Sequence, residues 1–454
     1  MTHYLLAVVS GVLLTLSFEP FRLWPLAFIA WVPLWHAMLK APDMRSAANL
    51  AGVAGLVFYS VSLHWLMKVF GPMVVAFWCV FALGPAAHAA VLWRLKDRLS
   101  PMAWVFAGAV LWVGIEYFRC EVWFLNNSWL ALGYSQVPNL PLLQVCGVIG
   151  LYGLSGLIAA VNLGLVLALR KRWAPACAAV GLVLLGTAFG AWRMRGPDQG
   201  EPLAVAAVQD ENYDLDGLIR LSLAPEARGA KLIVWPEYGF TVQPDQQAQY
   251  TKFLRGKLKD LAAVKVVGAA VFPEDPKKEK MQNFAWVFSP EGELLGRYDK
   301  HHPIPYVERH LPANKDPRPV DTPLGKLGVQ ICYDLDFEDG TRKIVRQGAR
   351  ILVVPNLDPR EWGHWEHAQH STMSCARAVE SGLWIVRAAS SGYSQIIDRH
   401  GRVRAVLKTL DSGTLVGEAR LVEGGTPYSA AGWLLAPLCL LGALGIAGVA
   451  VKNV

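Results

Sequence analysis

The stretch KLGVQICYDLDFED at 326–339 runs through an apolar segment to a cysteine and then turns acidic. An apolar run of this length that stops at a reactive side chain reads as a buried strand opening into a loop. Similar short runs recur on either side: LAVAAVQ at 203–209, KLIVWPE at 231–237, VKVVGAAVF at 264–272, NFAWVFS at 283–289, RILVVPN at 350–356 and LWIVRAAS at 383–390. Between several of them, 214–224, 246–262, 336–347 and 365–381 carry apolar residues at helical spacing. Strands alternating with helices predict an α/β domain over 197–424. Ligands in such sheets meet catalytic groups at strand ends. Three reactive residues stand at such ends: Glu237 closing IVWPE, Lys300 after GRYD, and Cys332.

The rest of the chain belongs to another solvent. Of 454 residues, 53% are hydrophobic and 17% charged, 18 are Trp, and the mean hydropathy is +0.30. Residues 1–196 hold only five of the 36 acidic side chains: Glu19, Asp43, Asp97, Glu116 and Glu121. Apolar runs at 4–18, 23–39, 48–67, 70–93, 102–118, 148–169, 174–192 and 430–451 are each about long enough for a hydrocarbon core of roughly 30 Å. The sequence thus predicts a membrane α-helical bundle of about eight transmembrane helices, with seven spans in 1–196 and one in 425–454, plus the α/β domain. The run at 4–18 lacks a charged leading region and a small-residue cleavage site, so it is expected to be a retained helix. With a cytoplasmic N-terminus, inner loops carry Lys40, Arg45, Arg94, Lys96, Arg98, Arg170, Lys171 and Arg172, against Arg22, Lys68 and Arg119 outside. That asymmetry puts 197–424 outside the cytoplasm. The net charge of +7 is scattered rather than gathered in a stripe, which argues against nucleic acid as a partner.

Cysteine at a strand end attacks an acyl carbon if a base takes its proton, and a desolvated Glu237 is suited to that. Lys300 and the backbone N–H of Tyr333 would then face the negative oxygen of a tetrahedral intermediate. The residues alone leave other readings open. Cys332 fits an inert core position, Glu237 and Lys300 a solvated pair, and Cys375, in MSCARAVE, is a rival nucleophile packed on a helix. Cys79, Cys146, Cys177 and Cys439 lie in or beside apolar runs and Cys120 close to one, without a disulfide or metal-ligand spacing. His301, His302, His364, His367 and His370 lack the HExxH pattern, and no metal is expected. Glu116 and Arg119, at i, i+3 near the end of an apolar run, are expected to pair with each other or to meet a lipid headgroup.

WPE, the lysine ahead of HPIPYVE, and ICYD resemble the three signatures of the nitrilase, or carbon-nitrogen hydrolase, superfamily. LSFEPFRLWPLAFIAWVPL at 16–34, GLVFYSVSLHWL at 55–66, 128–162 and TPYSAAG at 426–432 are similar to segments of the apolipoprotein N-acyltransferase family. The resemblance implies an αββα sandwich with eight transmembrane helices, in the bacterial inner membrane, with the site on the periplasmic side. It implies Glu237 as base, Lys300 as oxyanion stabiliser, Cys332 as nucleophile, and Glu308 in PYVERHLP as a second acid that positions Lys300. It also implies a ping-pong reaction, and the chain is expected to work as a monomer. A phospholipid, typically phosphatidylethanolamine, acylates Cys332, and the α-amino group of diacylglyceryl-cysteine in an apolipoprotein takes the acyl group, without a cofactor.

Tyr238, Phe240, Trp362 and Trp365 are candidates for acyl-chain contact, or ordinary interfacial aromatics. The chain departs from the family pattern at several points. Asp334 stands where a Glu is usual. PNLDPREWGHWEHAQH at 355–370 keeps Asn356, Trp362 and Gly363 but adds an insertion and an Arg360–Glu361 pair, and FLNNSW at 124–129 also differs. The altered 355–370 loop leaves as an alternative a membrane-tethered amidase or an N-acyltransferase with another amine acceptor, and a transporter or scaffold using a dead nitrilase domain is the non-enzymatic reading, which the intact Glu, Lys and Cys weigh against.

Overall fold

The computed structural model describes residues 1–452 except 213, 273–279, 306, 309 and 310, and except the side chain of 244. It divides into two compact units, Met1–Arg195 with Ala431–Val454, and Gly196–Ala430.

The first unit is helical. Among the described residues, five helices are long and apolar enough to cross a membrane: Leu66–Leu95, Pro101–Val122, Cys146–Ala168, Ala174–Arg193 and Gly432–Val451. The expected count of about eight is not carried by length and composition alone. Thr2–Ser17 is apolar but has 16 residues, and Met44–Ser62, with 19, is diluted by Arg45, Ser46 and Asn49. The run at 23–39 is broken into Trp24–Phe28 and Val32–Met38, each with a proline in its first turn. Asn162 repairs the break: its Oδ1 accepts the Trp31 N–H at 2.9 Å and its Nδ2 donates to the Ala27 carbonyl at 2.8 Å. Irregular backbone in an apolar setting persists only where a neighbour satisfies it. Close packing relies on small residues, as at Gly114, where a Cβ would lie 2.8 Å from the Cys439 carbonyl oxygen.

Glu116 and Arg119 correct the expectation that they pair with each other. Glu116 Oε1 accepts the Leu132 N–H at 2.7 Å and Trp112 Nε1 at 3.3 Å, while Arg119 Nη1 donates to the carbonyls of Asn127 at 2.8 Å and Trp129 at 3.1 Å. The loop that follows their helix presents bare backbone groups, and these claim the two side chains.

The second unit holds two sheets. One runs Gly413–Leu421, Glu201–Gln209, Leu232–Val234, Val264–Val271, Gln282–Phe288, Leu294–Asp299, with Phe240–Val242 also paired to Val264–Val271. The other runs Val403–Leu407, Ser394–Ile397, Ile385–Ala389, Ile351–Asn356, Gly325–Val329, Val320–Thr322. The middle strands of each are parallel. Alternation along Glu201–Gln209 shows the layering. Ala206 and Val208 pack with Leu218, Leu254 and Leu258 of helices Leu215–Ser222 and Gln247–Leu258, while Val205 and Ala207, on the other face, are fully buried against the second sheet. Helices Glu338–Arg346 and His364–Ser381 cover the second sheet's outer side, giving the expected αββα sandwich. The expected core strands appear within a few residues of their runs. Val403–Leu407, largely exposed, and Gly413–Leu421, mostly half-buried or buried, were not expected, because their mixed-polarity sequences carry little apolar signal.

Candidate active site

Strand Leu232–Val234 ends early because Pro236 has no N–H for the ladder, and the chain turns at Glu237. Gly268 of the adjoining strand makes room for that turn, since a Cβ there would sit 2.1 Å from the Pro236 carbonyl oxygen. Lys300 follows strand Leu294–Asp299 directly, and Cys332 opens a 3₁₀ turn, Cys332–Asp336, three residues past the end of strand Gly325–Val329. Cys332 and Tyr238 both adopt positive φ, 49° and 52°, a region that side chains other than Gly rarely enter. Such outliers persist where the surroundings hold a site in one geometry.

Three strand ends therefore converge on one buried cluster. Lys300 Nζ lies 2.8 Å from Glu237 Oε1 and 2.8 Å from Glu308 Oε2, with all three side chains under 5% exposed. Asn283 Nδ2 bridges the two acids, donating to Glu237 at 2.6 Å and to Glu308 at 3.0 Å. Tyr238 Oη donates to Glu308 Oε1 at 2.5 Å, and the Ile304 N–H to Oε2 at 2.8 Å. Glu237 Oε2 has no hydrogen-bond partner among the described residues and so keeps a lone pair for a proton. Cys332 Sγ, 3% exposed, lies 3.6 Å from the Leu357 carbonyl oxygen.

Burial dominates the electrostatics. It raises the Glu237 carboxyl above the usual range, with the Lys300 charge opposing it. It also lifts the Cys332 thiol well above its ordinary value, and the Glu237 charge adds to this. A thiol raised in this way needs a neighbouring base before it can attack, and Glu237 is the carboxylate whose charge acts on it most. For Lys300, burial disfavours the charge, but Glu237 and Glu308 outweigh it and hold the ammonium well above its normal value. For Glu308, burial pushes up, and Lys300 more than offsets it. Environment thus drives the two neighbouring glutamates in opposite directions.

Asp334, the residue whose shorter side chain left its role open, is fully buried and fully engaged. Its Oδ1 accepts the N–H of His301 at 2.9 Å and of His302 at 2.6 Å, and its Oδ2 that of Ile331 at 3.0 Å and Tyr298 Oη at 3.0 Å. Tyr333 stacks edge-on against Phe337, ring centroids 4.9 Å apart. The departing loop is likewise tied down. Asp358, beside Leu357, accepts from Arg387 Nη2 at 2.6 Å, Asn356 Nδ2 at 2.6 Å and His370 Nδ1 at 2.7 Å.

Of the aromatic candidates, Trp362 and Trp365 are half-buried on the segment after Asp358. Tyr238 is bound into the acid network. Phe240 is corrected: at 3% exposure it belongs to the core between sheet and helices and has no surface for a ligand. Cys375 is buried within helix His364–Ser381. The histidines are drawn into carboxylate clusters that their spacing did not reveal: His301 and His302 meet Asp339 beside Lys343, and His370 meets Asp358 beside Arg387. Asn283 was also missed; its only signal is an amide at the head of an apolar strand. Tyr306, Arg309 and His310 of PYVERHLP lie outside the described residues.

A helical unit with membrane-spanning helices and an αββα domain presenting Glu, Lys and Cys at its strand ends define a membrane-anchored member of the carbon-nitrogen hydrolase class. Residues 199–425 match the family Carbon-nitrogen hydrolase, and residues 10–164 match Apolipoprotein N-acyltransferase N-terminal domain. Apolipoprotein N-acyltransferase of Geobacter metallireducens is 34% identical over 99% of this chain and 95% of its own length, and that of Pseudomonas putida 28% identical over 99% and 98%. An amidase of Nesterenkonia sp. with a solved structure is 25% identical over 52% of this chain and 95% of its own, at TM-score 0.42. The chain belongs to the apolipoprotein N-acyltransferase family, and it is an enzyme of the acyltransferase class.

Proposed function

We propose that this enzyme moves an acyl chain from a phospholipid to Cys332 and then to the N-terminal α-amino group of a diacylglyceryl-cysteine apolipoprotein. The bare Glu237 Oε2 beside a doubly committed Lys300 carries the reading. In the first half-reaction Glu237 Oε2 takes the thiol proton as Cys332 Sγ bonds to the ester carbon. The oxyanion accepts the third N–H of Lys300, whose other two face Glu237 and Glu308, and the N–H of Tyr333. Collapse breaks the ester C–O bond, and Glu237 returns the proton to the departing lysophospholipid oxygen.

The second half-reaction runs the same groups again. The incoming amine bonds to the thioester carbon, its proton passes to Glu237, and the C–S bond breaks to give the amide and the thiol. An ester and a thioester are already activated, so neither ATP nor a metal enters the balance. The domain boundaries follow: 1–196 and 425–454 as membrane anchor and 197–424 as catalytic domain. The basic loops favour the periplasmic face of the inner membrane for that domain, and phosphatidylethanolamine is the proposed donor.

Intact-protein mass spectrometry of the enzyme with phosphatidylethanolamine vesicles tests this. Wild type is expected to gain a hydroxylamine-labile acyl mass that Cys332→Ala lacks, and a diacylated lipopeptide is expected to discharge it as an N-acylated product. No adduct overturns the thioester, and an adduct that the lipopeptide leaves intact overturns the acceptor.

A further inference from the structure

His301 and His302 follow Lys300 in the chain, and both rings meet Asp339, in the first turn of helix Glu338–Arg346. His302 Nε2 lies 2.7 Å from Asp339 Oδ1, and His301 Nε2 lies 3.1 Å from Asp339 Oδ2. One ligand atom from each residue falls within 4.8 Å of the other two, with His301 buried and His302 and Asp339 half-buried. The HExxH pattern misses this group because the carboxylate comes 37 residues after His302 and from another element.

The hydrogen bond on the far side of His301 sets what its Nε2 can do. Nδ1–H donates to the Asn314 carbonyl, so in the neutral ring Nε2 carries a lone pair. That lone pair faces a carboxylate oxygen, and two acceptors face each other only with a positive centre between them. A proton serves one nitrogen at a time, whereas a divalent cation serves both imidazoles and the carboxylate together. A backbone carbonyl on the other ring nitrogen is also the partner that fixes the tautomer of metal-bound imidazoles.

The frame around the three groups is built in advance. Asp334 Oδ1 accepts the N–H of both histidines, and the His302 ring lies against Phe337 with centroids 4.3 Å apart. Gly340 leaves room, since a Cβ there would stand 3.1 Å from His301 Cδ2. Nitrogen and oxygen ligands about 2.0–2.2 Å from one ion stand about 3–3.5 Å apart, and the broad terminal torsion of His supplies the adjustment. Lys343 Nζ, 2.8 Å from Asp339 Oδ2 on a side chain 40% exposed, competes for the carboxylate.

We infer that His301 Nε2, His302 Nε2 and the Asp339 carboxylate form a binding site for a zinc-type divalent cation, with water in the fourth position. Two imidazoles and a carboxylate suit that ion, and the half-buried side gives it a way in. The ion clips the segment after Lys300 to helix Glu338–Arg346 and enters no step of the acyl transfer, so the site stands apart from the reaction proposed above.

The test uses the full-length Cys332→Ala protein in detergent, with any purification tag removed and metal stripped by a chelator, so that neither the tag nor this thiol holds the ion. Titration with Co²⁺ is expected to give the visible bands of a four-coordinate ion at one equivalent, and Zn²⁺ is expected to displace it. His302→Gln and Asp339→Asn are each expected to weaken binding more than about 100-fold, because even an outer-shell partner is worth about 10-fold to 100-fold. Lys343→Ala, which removes the competing ammonium from an exposed position, is expected to tighten binding about ten-fold, the order that one like charge makes beside a dication at about 4 Å in water. Absence of the bands, stoichiometric binding that survives His302→Gln and Asp339→Asn, or binding that Lys343→Ala weakens or leaves unchanged overturns the site.

Discussion

The carboxylate of Asp334 accepts the backbone N–H of His301 at 2.9 Å, although 33 residues separate them in the chain. Through its other oxygen it holds the N–H of Ile331 at 3.0 Å. One buried side chain thus joins the residue after Lys300 to the residue before Cys332. The relative position of ammonium and thiol depends on it.

Asp334→Ala is accordingly expected to do two things. It strands buried N–H groups at about 1–3 kcal/mol each, lowering the melting temperature by several degrees, and it loosens Lys300 against Cys332, lowering acyl-enzyme formation about 100-fold. Asp334→Glu, one methylene longer in a fully buried site, is expected to destabilise by about 1–3 kcal/mol rather than improve the enzyme. Thermal unfolding with single-turnover thioester formation separates the two effects.

The acid limb of the rate profile is expected to report Glu237. Burial raises its pKa, and the base acts only when deprotonated. Thioester formation must then rise with pH through a value above the ordinary glutamate range of about 4.3. Glu237→Gln should lower the rate about 100-fold to 10,000-fold and remove that limb. Stopped-flow acylation across pH checks it, and a limb unchanged in Glu237→Gln assigns the base elsewhere.

Asn283 tunes that limb. Its Nδ2 stabilises the charged form of Glu237 from 2.6 Å, so Asn283→Ala should push the carboxyl further up and move the limb to higher pH. A residue that merely packs would change stability and leave the limb in place.

In the helical unit, Gly114→Leu is expected to force its helix away from Leu435–Val451, because even a Cβ would meet Ala443 Cβ at 2.7 Å and the Cys439 carbonyl oxygen at 2.8 Å. A loss of about 1–3 kcal/mol, read as a lower unfolding temperature in detergent, is expected. Gly445→Ala, where a Cβ meets nothing within 4 Å, is the control.

By itself the sequence determined the two solvents and the core strands and singled out Glu237, Lys300 and Cys332 as candidates, because each rests on local signals: apolar length, β-branched runs, and rare side chains at strand ends. Glu237, Lys300 and Cys332 were legible for that reason, and the motifs around them carried the family. Tertiary structure alone decided which partners satisfy buried polar groups. Asp334 reaching His301, Asn283 bridging Glu237 and Glu308, and Glu116 turning to Leu132 rather than Arg119 span from 16 to 46 residues of chain, and no spacing rule covers such distances. The broken run at 23–39 shows the same division. Its hydropathy matched a span, but Pro25 and Pro33 interrupted the helix, and the Asn162 amide, more than 130 residues later, made the interruption affordable. Apolar surface is written residue by residue, whereas the pairing of a buried polar atom is a property of the folded neighbourhood.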